Sequence, residues 1–219
     1  MDEKSQSLQT LQEIKQMMER SSRFISLSGL SGVAAGSCAL AGAYFAHGVI
    51  SDAQKQFFQP TTFIRGVNEL SVREFMGSKL LQIGLFTFIG AFLLAFLFTW
   101  LKSKRTGTPI WGASAKRLMV NVCIPLLAGG IYIYRNMQMG NFGLIAPGCL
   151  IFYGLALVNA GKYTLPEIRY LGYGQIILGI INCWDIGYGL YYWAAGFGIL
   201  HIVYGIYMWW KYERTPATA

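Results

Sequence analysis

Asp185 and His201 lie in a long apolar stretch between Arg169 and Lys211, and Asp185 is the only formal charge between those two cations. Ionisable groups are costly to keep in such surroundings, so they mark candidate sites. A carboxylate and an imidazole can share a proton, hold a cation, or clamp two helices with a hydrogen bond. Asn182, one helical turn before Asp185, shares its face. Asn121 adds a polar group in an earlier apolar run. If the chain returns between Gly187 and Tyr192, Asp185 sits near the outer end of one helix and His201 lies about eight residues into the next. At about 1.5 Å of rise per residue the two differ little in depth, so a direct pair or a bridging water is expected. Two readings follow: a proton- or cation-responsive site open to the outside, or a hydrogen-bonded clamp on the hairpin.

Other chemistries find less support. His47 and His201 are the only histidines, and as axial ligands they would suit a haem. They sit at unlike depths, however, and no cofactor is expected. Cys38, Cys123, Cys149 and Cys183 each fall in a different apolar run without metal-ligand spacing, so they read as small buried side chains. There is no GxSxG, HExxH, phosphate-binding glycine loop or paired carboxylate. Catalysis is therefore not expected.

The elements that would position these groups are membrane helices. The chain is 54% hydrophobic and 13% charged, half the charge of a typical soluble domain. Apolar runs predict six spans, at about 24–50, 80–101, 118–134, 142–161, 170–188 and 193–210. The fold class is all-α: a polytopic membrane protein with six transmembrane helices and a cytosolic amphipathic N-terminal helix. That last helix is read from residues 1–23, where Leu8, Leu11, Ile14 and Met18 form a helical stripe on a charged background. Residues 24–211 form the membrane domain and 212–219 a cytosolic tail. In the first span Ser28, Gly32 and Gly36 repeat every four residues and define a helix-packing face. Pro125 kinks the third span, and Pro147-Gly148 interrupts the fourth. Tyr153-Gly154-Leu155 and Tyr204-Gly205-Ile206 form a faint internal repeat.

The net charge of +8 fits topology and lipid headgroups rather than nucleic acid, because the bases sit between apolar runs. With six spans, 13 of the 18 Lys and Arg share one side: the N-terminal tail, the loop bearing Lys102, Lys104, Arg105, Lys116 and Arg117, the Lys162–Arg169 loop and the C-terminal tail. The positive-inside rule then puts both termini in the cytoplasm.

Two segments, residues 18–32 (MERSSRFISLSGLSG) and 162–172 (KYTLPEIRYLG), resemble parts of a group of uncharacterised bacterial multi-pass membrane proteins. The resemblance implies a bacterial cytoplasmic (inner) membrane and brings no known activity. The expected partners are the lipid bilayer and either a second copy of the chain or another membrane protein, with no nucleic acid. The function expected is that of a non-catalytic scaffold, sensor or accessory subunit. A small transporter or channel with a polar site around Asp185 and His201 is the alternative.

Overall fold

A computed structural model describes residues 28–57, 79–107 and 110–214. The striped segment 1–23 lies outside the described residues. Those that are described form helices and turns, without strands. Helix α1 runs Gly29–Phe57, α2 Lys79–Thr106 and α3 Ala113–Gln138. A 3-10 turn at Phe142–Leu144 leads into α4, Ile145–Ala160. Helix α5 is Ile168–Trp184, and a second 3-10 turn, Ile186–Tyr188, opens α6. Helix α6 begins as Gly189–Trp193, widens into a π-helical turn over Ala194–Leu200, and resumes α-helical pitch over His201–Tyr212.

Among the described residues five stretches are long and apolar enough to cross a membrane: Gly29–Asp52, Lys79–Thr106, Ala113–Gln138, Phe142–Ala160 and Ile186–Tyr212. Helix α5, with 17 residues, is about 26 Å long, a little under the ~30 Å hydrocarbon thickness of a bilayer.

The helices pack in the order α2, α1, α6, α4, α3, with α5 against both α4 and α6. Glycine sets the closest approaches. A Cβ on Gly154 would fall 2.7 Å from the Gly172 carbonyl oxygen, and one on Gly172 would fall 2.8 Å from the Gly154 carbonyl oxygen. Helices α4 and α5 therefore touch backbone to backbone and run antiparallel, with Gly161 opposite Arg169 and Ile151 opposite Gly179. The second such crossing joins α1 to α6. A Cβ on Gly36 would lie 2.6 Å from the Gly198 carbonyl oxygen, and one on Gly205 would lie 2.6 Å from that of Gly29. This pair is antiparallel as well.

One expected feature is corrected. Pro147-Gly148 does not interrupt the fourth span: α4 begins at Ile145, so both residues fall in its first turn. A first-turn N–H has no intrahelical partner, and proline costs nothing there. The discontinuity lies in α6 instead, at the π-turn.

Candidate functional site

The side chains that meet inside the molecule come from α4, α5 and α6. His201, on α6, is buried. Its Nδ1 lies 3.0 Å from the Gly196 carbonyl oxygen, which can only accept, so Nδ1 carries the proton. In the neutral ring Nε2 is then an acceptor, and the Tyr153 hydroxyl donates to it from α4 across 2.9 Å. From α5, Gln175 Nε2 donates to the same Gly196 carbonyl at 2.8 Å. Gln175 Nε2 and His201 Nδ1 are 3.4 Å apart, two donors converging on one oxygen. The residue at 196 is fixed by this crowding, because a Cβ there would fall 2.5 Å from Gln175 Oε1. The π-turn serves the same end: its wider winding offers the Gly196 carbonyl to two side chains, and such turns recur at functional positions. Phe197 stacks on His201 at 6.0 Å and sits 5.1 Å from both Tyr153 and Trp193.

Asp185 is not part of this cluster. It caps the end of α5 and accepts a hydrogen bond from the Tyr192 hydroxyl at 3.1 Å. The expected pair with His201 does not form, and the reason is helical register. The chain turns at Asp185 itself, so α6 is already helical at Gly189 and His201 sits more than three turns in. Asn182 joins the Asp185 end, donating through Nδ2 to the Asp185 carbonyl at 2.8 Å. Asn121 belongs elsewhere. Its Nδ2 donates to the Arg117 carbonyl at 2.8 Å, and its own carbonyl accepts from Asn159 Nδ2 at 2.8 Å, tying α3 to α4. His47 lies beside Tyr191, at 6.1 Å between rings, and does not approach His201. Ser28, Gly32 and Gly36 all face α6: Ser28 hydrogen-bonds to Glu213, and a Cβ on Gly32 would lie 3.1 Å from Gly205 Cα.

A second polar cluster sits where the first and last described helices meet. The Gly29 amide donates to Glu213 Oε1 at 2.7 Å, and Lys102 Nζ pairs with the same oxygen at 3.2 Å, so one carboxylate binds α1, α2 and the end of α6. Glu167, just before α5, accepts from Lys211 Nζ at 2.5 Å and from the Tyr212 hydroxyl at 2.7 Å. Burial alone would push its carboxyl pKa up. The hydrogen bonds from Lys211 and Tyr212 outweigh that and hold it below the ordinary 4.5. Arg169 donates to the Gly161 carbonyl at 3.1 Å.

Sequence reasoning missed Tyr153, Gln175, Gly196, Glu167 and Glu213. Gln175 carried a usable signal, since it is a polar residue seven positions before Asn182 in an apolar helix and so on the same face. Glu167 and Glu213 gave none, because acids flanking a span are ordinary until a partner is seen.

Known protein families, curated proteins and solved structures contain no match to this chain.

Proposed function

We propose that this chain is a non-catalytic integral membrane protein, a scaffold, sensor or accessory subunit that acts through helix packing in the bacterial cytoplasmic membrane. One observation carries the reading: its intramembrane polar side chains bind other parts of the same chain and fasten helix to helix. His201 bridges α6 to Tyr153 of α4, Gln175 bridges α5 to the π-turn, and Asn159 bridges α4 to α3. None of these contacts needs a substrate.

Parity supports our reading of six crossings. Helices α1 and α6 are antiparallel and their outer ends meet at Ser28 and Glu213, which an even number of crossings requires. Among the described residues five stretches satisfy length and composition alone, and the packing of α5 along α4 supports taking it as the sixth. The bias of basic residues supports cytoplasmic termini, and the two resembling segments support a bacterial membrane.

The scaffold reading is tested by stability and assembly together. Asn159→Ala and Tyr153→Phe are expected to lower the melting temperature in detergent. Native mass spectrometry of protein from bacterial membranes is expected to show a defined oligomer or a stoichiometric partner. A monomer without bound protein, whose melting temperature ignores both substitutions, ends this reading. A small transporter or channel is the second reading, favoured by the π-turn, because discontinuous helices flank binding sites in membrane transporters.

A further inference from the structure

We propose that the junction of α3, α4 and α5 binds the phosphate of an anionic phospholipid, with Arg117 and Lys162 as its main contacts and Lys116 beside them. The inference stands apart from the choice between scaffold and channel.

Contacts fix which helix ends share this face. Glu213 joins the start of α1 and the end of α2 to the end of α6, and Glu167 joins the start of α5 to the same end of α6. Helix α4 is antiparallel to α5 and to α3, so it ends where both of them begin. Near that end Asn159 donates to the Asn121 carbonyl of α3 at 2.8 Å. One turn before Asn121 stands Arg117, whose carbonyl accepts from the Asn121 amide. Three residues after Asn159 stands Lys162, whose N–H donates to the Asn159 carbonyl. In an antiparallel pair, a step back along one helix and a step forward along the other reach the same level. Arg117 and Lys162 therefore emerge side by side beyond the Asn121–Asn159 bridge. Both are exposed, as is Lys116. Arg169 closes the group from α5, with Nη2 on the Gly161 carbonyl.

No described carboxylate answers this charge. The described acids are Asp52, Glu167, Asp185 and Glu213. Asp52 and Asp185 lie toward the opposite ends of α1 and α5. Glu167 and Glu213 are taken by Lys211 and Lys102. Like charges gathered on packed helix ends repel one another, and an anion seated among them relieves the repulsion.

Depth selects the anion. Trp111, just before α3, is exposed, and so are Tyr170 and Tyr173 in the first two turns of α5. Trp and Tyr rings at the ends of apolar helices settle at the level of lipid headgroups. Bases at that level meet lipid phosphate before any soluble anion. The Arg117 guanidinium offers a planar fork to two phosphate oxygens, and the two ammonium groups add point charges. A zwitterionic headgroup brings its own cation to the cluster, so an anionic one is favoured. Seated there, the phosphate fastens the start of α3 to the loop between α4 and α5.

The test uses the full chain in a non-ionic detergent, with phosphatidylglycerol or phosphatidylcholine added and bound lipid read by native mass spectrometry. Wild type is expected to retain phosphatidylglycerol in clear preference to phosphatidylcholine and to melt at a higher temperature with it. Arg117→Gln and Lys162→Gln are each expected to weaken phosphatidylglycerol retention about fivefold, the equivalent of about 1 kcal/mol for one base at an anionic surface. Neither is expected to change phosphatidylcholine retention. Lys79→Gln combined with Arg135→Gln removes bases from the opposite helix ends and is expected to behave as wild type. Lys116→Gln, read the same way, stands in for a cluster variant that does not fold. Equal retention of the two lipids, or equal losses in the cluster and opposite-end variants, overturns the site. Inorganic phosphate is the second arm. If without lipid it raises the melting temperature as much as phosphatidylglycerol does, and Arg117→Gln abolishes that rise, the anion is a free phosphate and the lipid assignment falls. No rise with inorganic phosphate supports the lipid.

Discussion

At the level of single residues, two groups of contacts carry measurable consequences. Removing the Tyr153 hydroxyl leaves His201 Nε2 buried without a donor, which costs about 1–3 kcal/mol. Tyr153→Phe is therefore expected to lower the melting temperature in detergent by several degrees. Asp185→Asn keeps an acceptor for Tyr192 at a half-buried position, so its cost is expected to stay below about 1 kcal/mol. A large loss at Asp185 with none at Tyr153 would invert the ranking and remove the clamp. Glu167 makes a pH-dependent contribution. Its folded pKa lies below the ordinary 4.5, so its stabilising effect is present above that value and is lost as pH falls through the folded one. Glu167→Gln is expected to flatten the acid side of the melting-temperature profile, with little change in its shape near neutrality. An acid limb as steep as that of wild type would contradict it.

Among the helices, stability rests on two backbone crossings, α1 on α6 and α4 on α5. The repeated Tyr-Gly pair acquires a role here: Gly154 sits at one crossing and Gly205 at the other, each admitting a neighbouring backbone where a Cβ would not fit. In lipid, helices gain little from apolar burial against one another, and close packing through small residues supplies the attraction. Gly36→Leu must push Gly198 away, and Gly32→Leu must displace Gly205. Both are expected to destabilise the protein in detergent far more than Leu94→Ala on α2, where the side chain is 38% exposed. Comparable losses at all three positions would show that the α1–α6 contact is not what holds the helices.

For the molecule as a whole, the carboxylate of Glu213 gathers α1, α2 and the end of α6 at one face. On the six-crossing topology proposed above, this face would be the cytoplasmic one. Alkaline phosphatase fused after Ala219 is expected to be inactive in a bacterial host, and a fusion near Gln59 active. The reverse pattern would turn the molecule over in the membrane. A uniform result at both sites would break the parity between α1 and α6.

Helical content and the presence of helices long and apolar enough to span a membrane were legible in the sequence, because in lipid every backbone polar group must be satisfied within the segment and hydropathy alone then marks the segments. The small-residue face at Ser28, Gly32 and Gly36 was legible for a related reason: its period of four is a local property of one helix. Register between helices was not. Whether Asp185 reaches His201 depends on where the chain turns and on an extra residue wound into the π-turn of α6, and a shift of three residues moves a side chain by about 4.5 Å along the helix. The partnership of His201 with Tyr153 and Gln175 joins positions 48 and 26 residues apart, through glycine crossings whose depth only the packed helices define. The sequence by itself determined which groups are costly in a membrane. The tertiary structure decided which of them relieve one another, because that depends on hydrogen-bond distances set by the crossings, and on a Gly196 carbonyl that no local pattern announces.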